Sequence, residues 1–257
     1  MEIKNEIFDQ LKQFEENTGS VVIFVVESGS RGWGFGSEDS DYDVRFVYKY
    51  PNKKYLNLWK PQDTYEFART VDGTIIDFAG FDIYKFYDLL LKSNMNIIDW
   101  LFQTNIYLDK LKNKKELQDC VLELFNRNTY INHNFGLCKK NFHKYFEGNY
   151  TEFEPTTKRY IYCIRALLSA QYCWVHNTIA PLNFNDLINA TLWEDERKEI
   201  QEMLDIKKLR ERRKYHNEKW YNYIKEKLNG DKLDAVSDTD FQKYYSGLNN
   251  LLLKELE

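Results

Sequence analysis

Apolar and polar positions change period several times along the 257 residues. Ile3, Ile7, Leu11 and Phe14 recur at helical spacing, and Gly19 supplies a C-terminal stop, so the first twenty residues predict an amphipathic helix. Residues 21–26, Val-Val-Ile-Phe-Val-Val, form an unbroken β-branched run expected for a strand buried on both faces. A Gly- and Ser-rich stretch from Ser28 to Ser40 follows. A second strand is expected over about residues 42–49, where Val44, Phe46 and Tyr48 alternate with Asp43, Arg45 and Val47. Residues 65–78 predict a hairpin turning at Asp72-Gly73, a favoured type I′ pair. From Asp82, a candidate helix cap, the period becomes helical. The inner stripe there is Phe86, Leu89 and Leu90, and a shorter helix is expected over 97–102. Further helices are predicted at about 114–126, 129–146, 156–176, 194–206, 208–228 and 238–256, with Pro155 and Pro181 outside them. The expected class is α+β. A small mixed β-sheet head with flanking helices, residues 1–110, precedes a helical C-terminal domain, residues 111–257.

Composition narrows the class. No apolar run approaches the ~20 residues that span a bilayer, and the start, MEIKNEIFDQ, lacks the apolar core of a signal peptide. Four cysteines without a CxxC pair argue against a zinc site or disulfide framework, and a reducing cytoplasm is the expected location. Net charge is −4, which excludes a globally basic nucleic-acid coat. The two halves differ: residues 1–110 carry 12 Lys/Arg against 18 Asp/Glu, and residues 111–257 carry 24 against 22. An acidic head beside a mildly basic body suits a metal-bearing domain next to one that meets anions.

The chemistry concentrates in residues 27–43, ESGSRGWGFGSEDSDYD. A P-loop needs a terminal Gly-Lys-Ser/Thr, a dinucleotide fingerprint needs glycines that open a helix, and a nucleophile elbow needs GxSxG. None is present. What remains is a strand, a Gly29-Ser30 turn, a glycine-rich excursion, and Asp41-x-Asp43 entering a strand. Asp41 and Asp43 share strand parity, so they repel unless a cation neutralises them. Oxygen ligands at this spacing suit Mg²⁺ held together with substrate phosphates. Asp77, flanked by apolar residues on the last predicted strand, is a candidate third acid; Asp82, explained by its cap, is the competitor. Arg45 shares the parity of the two acids, either as a salt bridge or toward substrate.

Gly29-Ser30, Ser40-Asp41-Tyr42-Asp43 and Asp77 together resemble the nucleotidyltransferase fold of the DNA polymerase β superfamily. The strings ESGSRGWGFGSEDSDYDVRFVY, KSNMNIIDWL and KRYIYCIRALLSA resemble its RNA ligase-associated polymerase-like branch, linked to RNA repair. The match is specific over about residues 20–105 and looser to about residue 190. The resemblance implies that Asp41, Asp43 and Asp77 are catalytic and ligate two Mg²⁺ ions, with Mn²⁺ able to substitute. It implies that Gly29, Ser30 and Ser40 meet the triphosphate of an NTP donor, ATP being one candidate, and that the acceptor is an RNA end, tRNA included. Two rivals stand beside it: nucleotidylylation (AMP transfer) of a protein or small-molecule hydroxyl, and a silent binding module that keeps the fold.

The body adds candidate cations. Lys158, Tyr162 and Arg165 lie at i, i+4 and i+7, one helix face able to present two charges to a triphosphate; snorkelling surface residues are the plainer reading. Lys139, Lys140, His143 and Lys144 read as a solvated face. Residues 197–227 hold eleven Lys/Arg against six Asp/Glu. Within them Lys207, Lys208, Arg210, Arg212, Arg213 and Lys214 form a candidate RNA-backbone track, or a solvated helix. Oligomeric state, base preference and acceptor are not legible.

Overall fold

The structure is a computed structural model that describes residues 2–147, 155–208, 215–230 and 239–257. Helix α1 (Glu2–Thr18) leads through Gly19, at φ +65°, into β1 (Val21–Glu27). After a helical turn, α2 (Gly29–Gly32), come β2 (Tyr42–Lys49), a second turn, α3 (Asn52–Tyr55), and the hairpin β3 (Thr64–Val71) and β4 (Thr74–Asp82). Asp72 and Gly73 both take positive φ, the geometry their identities predict. Helices α4 (Ile83–Leu91) and α5 (Met95–Phe102) and a short strand β5 (Ile106–Asp109) close the head.

The fold is mixed α+β with a five-stranded sheet of order β3-β4-β2-β1-β5. The β2–β4 pair is parallel and the other neighbours are antiparallel. Strand parity sorts its two faces. Val44, Phe46, Ile76 and Phe78 pack on Ile7, Leu11 and Phe14 of α1. The opposite face carries Asp43, Arg45, Asp77, Ala79 and Phe81. Because β2 and β4 are parallel, Asp43 falls in register with Asp77 and Arg45 with Ala79. A register shift between Val22 and Phe24 lets β1 feed both cores.

The body comprises α6 (Lys114–Leu124), α7 (Arg127–Phe142) with a π turn at His143–Glu147, α8 (Thr157–His176), α9 (Phe184–Thr191), α10 (Glu194–Lys208), α11 (Glu218–Asn229) and α12 (Phe241–Leu256). Of the helix expected over 208–228, residues 209–214 lie outside the described residues, and the later part is α11, started by Asn217, whose side chain accepts from the Trp220 N–H. Strand β5 and helix α9 lie outside the predicted elements. β5 has four residues with no fully buried position, too short for a period to show.

Two body cores differ in reach. One unites Ile23, Ile83, Phe86 and Leu101 of the head with Leu117, Tyr130, Leu248 and Leu251. This core crosses the expected boundary at residue 110. The other gathers α7–α11 around α8 and takes in Phe35, only 3% exposed, from the glycine-rich excursion. That excursion is therefore held by the helical body. Among the described residues no helix is long and apolar enough to cross a membrane.

Candidate active site

The carboxylates come from β2 and β4. Asp43 Oδ1 and Asp77 Oδ2 each lie 2.9 Å from the same guanidinium nitrogen of Arg45. Arg45 also donates to the Asp77 carbonyl at 3.0 Å. The backbone of Asp43 is pinned from both sides: its N–H donates to Glu27 Oε1 at 2.8 Å, and its carbonyl accepts from the Ser28 N–H at 2.8 Å. Glu27 is buried, and Tyr107 donates to its other oxygen. Burial holds the Glu27 carboxyl above the usual carboxylate range, partly offset by Tyr107 and the Asp43 N–H.

Asp43 is itself raised, first by burial and then by Asp77 and Asp41, while Arg45 and Lys158 pull it down. One cation thus serves two acids, with a third nearby. Asp41 precedes β2 and is exposed. Among the described residues no three His, Cys, Asp or Glu side chains gather closely enough to hold a metal ion. Asp43 and Asp77 converge on one point, while Asp41 stands apart. The donor set, carboxylate oxygens only, has the chemistry of a hard divalent cation.

Gly29 makes the floor of the site possible. Its φ is +59°, and a Cβ there would lie 1.9 Å from Asp43 Oδ2, so only glycine lets the α2 backbone approach the carboxylate. Ser30 beside it is buried, and its hydroxyl has no partner among the described residues. Ser40 is turned to another task. Its hydroxyl accepts from the Ser37 N–H at 2.9 Å, and its carbonyl takes two bonds from Arg31. Arg31 also lies 4.0 Å from the Tyr42 ring centroid, so it ties the excursion together.

Helix α8 contributes two residues with different fates. Lys158 reaches the neighbourhood of Asp43 and makes no hydrogen bond or ion pair among the described residues. Arg165 does not reach the cleft. It is 3% exposed and donates to Asp99 Oδ2 at 3.0 Å, with its guanidinium carbon 3.8 Å from the Trp33 ring centroid. The expectation that Arg165 meets phosphate is corrected accordingly. Its burial among Ile161, Ile164, Leu167 and Leu168 is explained by an acid 66 positions away, which helix periodicity cannot reveal. Trp33 packs against Phe35 and Tyr162 as well.

Asp82 is the cap of α4: it accepts from the Tyr84 N–H at 2.9 Å and from the Tyr55 hydroxyl at 2.6 Å. Of the basic stretch, only Lys207 and Lys208 fall within the described residues; 209–214 lie outside them. Lys207, in the last turn of α10, donates to the Phe35 carbonyl at 2.9 Å and to Ser37 Oγ at 3.3 Å. Burial and then Lys158 lower its ammonium to about 8. Spacing along the chain gave no sign of this contact or of Glu27.

A cleft of about 710 Å³ runs from Ser28, Gly29 and the two acids toward Phe81, Lys85 and Trp100. Paired acids on parallel strands over a Gly-Ser turn, with a helical body closing the cleft, are the arrangement of a polymerase β-type nucleotidyltransferase. Comparison with known families agrees: the model of the RNA repair pathway DNA polymerase beta family matches residues 3–254, and the chain belongs to that family. It is 32% identical over 207 residues to the uncharacterized protein YcgL of Bacillus subtilis (strain 168), covering 80% of this chain and 77% of that one. A crystal structure of a nucleotidyltransferase-like protein from Exiguobacterium sibiricum 255-15 aligns over 96% of this chain and 75% of that one. Its identity is 10% and its TM-score 0.30, a likeness too remote to argue from.

Proposed function

We propose that this protein is a Mg²⁺-dependent, template-independent nucleotidyltransferase that moves a nucleoside monophosphate from an NTP to a hydroxyl at an RNA end, tRNA included, and releases pyrophosphate. The observation that carries the reading is the convergence of Asp43 and Asp77 on one Arg45 nitrogen, 2.9 Å each, above the Gly29 backbone. Two acids held by one cation leave a surplus negative charge where a divalent ion and phosphates would meet.

Asp41, Asp43 and Asp77 are the residues that would hold Mg²⁺, with Mn²⁺ as a substitute. When bound, the metal neutralises phosphate charge and makes the acceptor hydroxyl easier to deprotonate. Asp77, with 46% of its side chain exposed against 30% for Asp43, is the more open to an incoming hydroxyl and its proton. The Gly29 backbone and the Ser30 hydroxyl face the triphosphate in this reading, and Lys158 adds a free ammonium beside Asp43. Ser40 acts indirectly, by shaping the excursion, and Arg165 by fixing Trp33 and α8. A cytoplasmic setting accords with the reduced cysteines.

Incubation with NTP labelled at the α-phosphate, Mg²⁺ and separate pools of total RNA, total protein and small molecules tests the acceptor. Label in RNA is expected. Label confined to protein or to a small molecule would move the function to AMP-type modification of that pool. Label in none would return the protein to a binding module.

A further inference from the structure

Beyond Asp77 the cleft changes character. The antiparallel β3–β4 register sets Ala68 opposite Asp77 and Glu66 opposite Ala79, while Ala79 lies beside Arg45. Glu66 therefore stands on the face of the acids, one pleat further along, ~7 Å in strand rise. Ala68 and Ala79 leave the floor between them low. The far wall is flat and aromatic: Phe81 stacks on Trp100 with centroids 5.0 Å apart and planes 18° from parallel, and the Lys85 ammonium lies 5.0 Å from the Phe81 ring centroid. Asn96, on the first turn of α5, borders the same space.

Two of the polar groups there are spent. Asn94 caps α5, accepting from the Asn96 and Ile97 N–H groups. Lys85 is already bound to Asp63 at 3.1 Å and to the Thr64 hydroxyl. Glu66 and the Asn96 amide have no partner among the described residues. A wall of flat aromatics with a carboxylate and an amide, and no free ammonium, does not suit a triphosphate. It suits an uncharged heteroaromatic carrying hydroxyls. The free ammonium, Lys158, lies on the Asp43 side instead.

We infer that the cleft beyond Asp77 is a nucleoside pocket in which Glu66 selects ribose through its vicinal hydroxyls, a choice that rests on the nucleotidyltransferase reading. A carboxylate accepts from both hydroxyls of a ribose and from only one of a deoxyribose. The flat wall takes the base, and Asn96 offers it a donor and an acceptor. The same nucleoside chemistry is carried by the NTP donor and by the terminal residue of an RNA acceptor.

Two equilibrium-binding arms separate these sources. One compares each NTP with its 2′-deoxy counterpart. The other compares a short RNA ending in ribose with the same RNA ending in 2′-deoxyribose. The native protein should favour ribose by about tenfold or more in one arm, the worth of a hydrogen bond to a charged group. Glu66→Ala should bring that arm near parity, and Glu66→Gln should keep part of the preference. Glu66 is exposed, so both variants should fold. Ala79→Leu, which fills the floor, should weaken both sugars alike in the same arm. The arm that responds names the source. No ribose preference in either arm, or a preference unchanged in Glu66→Ala, overturns the inference. Sugar preference without transfer to any acceptor would sink the proposed function and leave the pocket; transfer without sugar preference would do the reverse.

Discussion

Two arginine–carboxylate arrangements border the same cleft and differ in stoichiometry and access. At the sheet, Arg45 serves both Asp43 and Asp77, and the three side chains are 17%, 30% and 46% exposed. At the junction of α5 with α8, Arg165 serves Asp99 alone, and the two are 4% and 7% exposed. The second pair is sealed by Trp33, whose ring lies 3.8 Å from the Arg165 guanidinium carbon. Burial pushes the Asp99 carboxyl up and Arg165 pulls it back, so each charge depends on the other. The first arrangement is short of positive charge and open to a ligand that supplies it. The second is closed, and it joins head to body. In the proposed function, similar residues thus serve chemistry in one place and architecture in the other.

Breaking the sealed pair should have the largest effect on stability. Arg165→Ala leaves Asp99 buried without its counter-charge and should cost about 3–5 kcal/mol, read as a fall in urea midpoint. The double variant Asp99→Asn, Arg165→Met should recover much of that. Arg45→Ala, by contrast, releases part-exposed acids that water can reach and should cost less, on the order of 1 kcal/mol. Equal losses in the two single variants would erase the distinction.

Lys158 sharpens the open side. Lys158→Ala should weaken NTP binding by about 1.5–3 kcal/mol, roughly 10- to 150-fold, and NMP binding far less, because the lost contact is to the outer phosphates. Its urea midpoint should barely move. Equal weakening for NTP and NMP would remove Lys158 from the triphosphate site.

Asp82 tests whether a buried acid outside the site behaves as structure. Asp82→Ala removes the α4 cap and the Tyr55 acceptor and should cost about 1–2 kcal/mol, with transfer retained. Asp82→Asn, which still caps, should cost less. Loss of transfer in the Asn variant with an unchanged midpoint would place Asp82 in the chemistry.

The smallest effect concerns Lys207, whose ammonium is lowered from the ordinary lysine value to about 8. Between pH 8 and the unfolded value near 10.5, the unfolded chain binds more protons, so stability attributable to this group rises with pH. Native protein should gain on Lys207→Met over that window, by under about 1 kcal/mol after solvent screening. A gap that narrows in the opposite direction would refute the burial of the charge.

Much of this was legible in the chain. The β2 strand, the Asp72-Gly73 turn, the Asp82 cap and the shared parity of Asp43 and Arg45 are local patterns, read from periods of two and 3.6. The register that sets Asp43 beside Asp77 is not local, but an acid amid apolar residues on a strand announced that something would meet it. Arg165 misled because its partner, Asp99, lies on another helix, so a charge in an apolar helix face looked like a ligand contact. Lys207 was grouped with its basic neighbours, while its actual bonds are to Phe35 and Ser37, about 170 residues earlier. Glu27 stood at the end of a buried strand with no spacing to mark it. Pairings through space between distant residues leave no period to read.

The central claim is that the open arrangement, and not the sealed one, carries transfer. The direct measurement is incorporation of α-labelled NTP into the accepting pool by native protein, Asp43→Asn, Asp77→Asn and Asp99→Asn in Mg²⁺, each with its thermal midpoint. Asp43→Asn and Asp77→Asn should lose transfer by a factor on the order of 10³ or more with midpoints near native, since charge at the site is removed and repulsion relieved. Asp99→Asn should lower the midpoint and, below it, retain transfer. Full transfer in Asp43→Asn or Asp77→Asn would contradict the account.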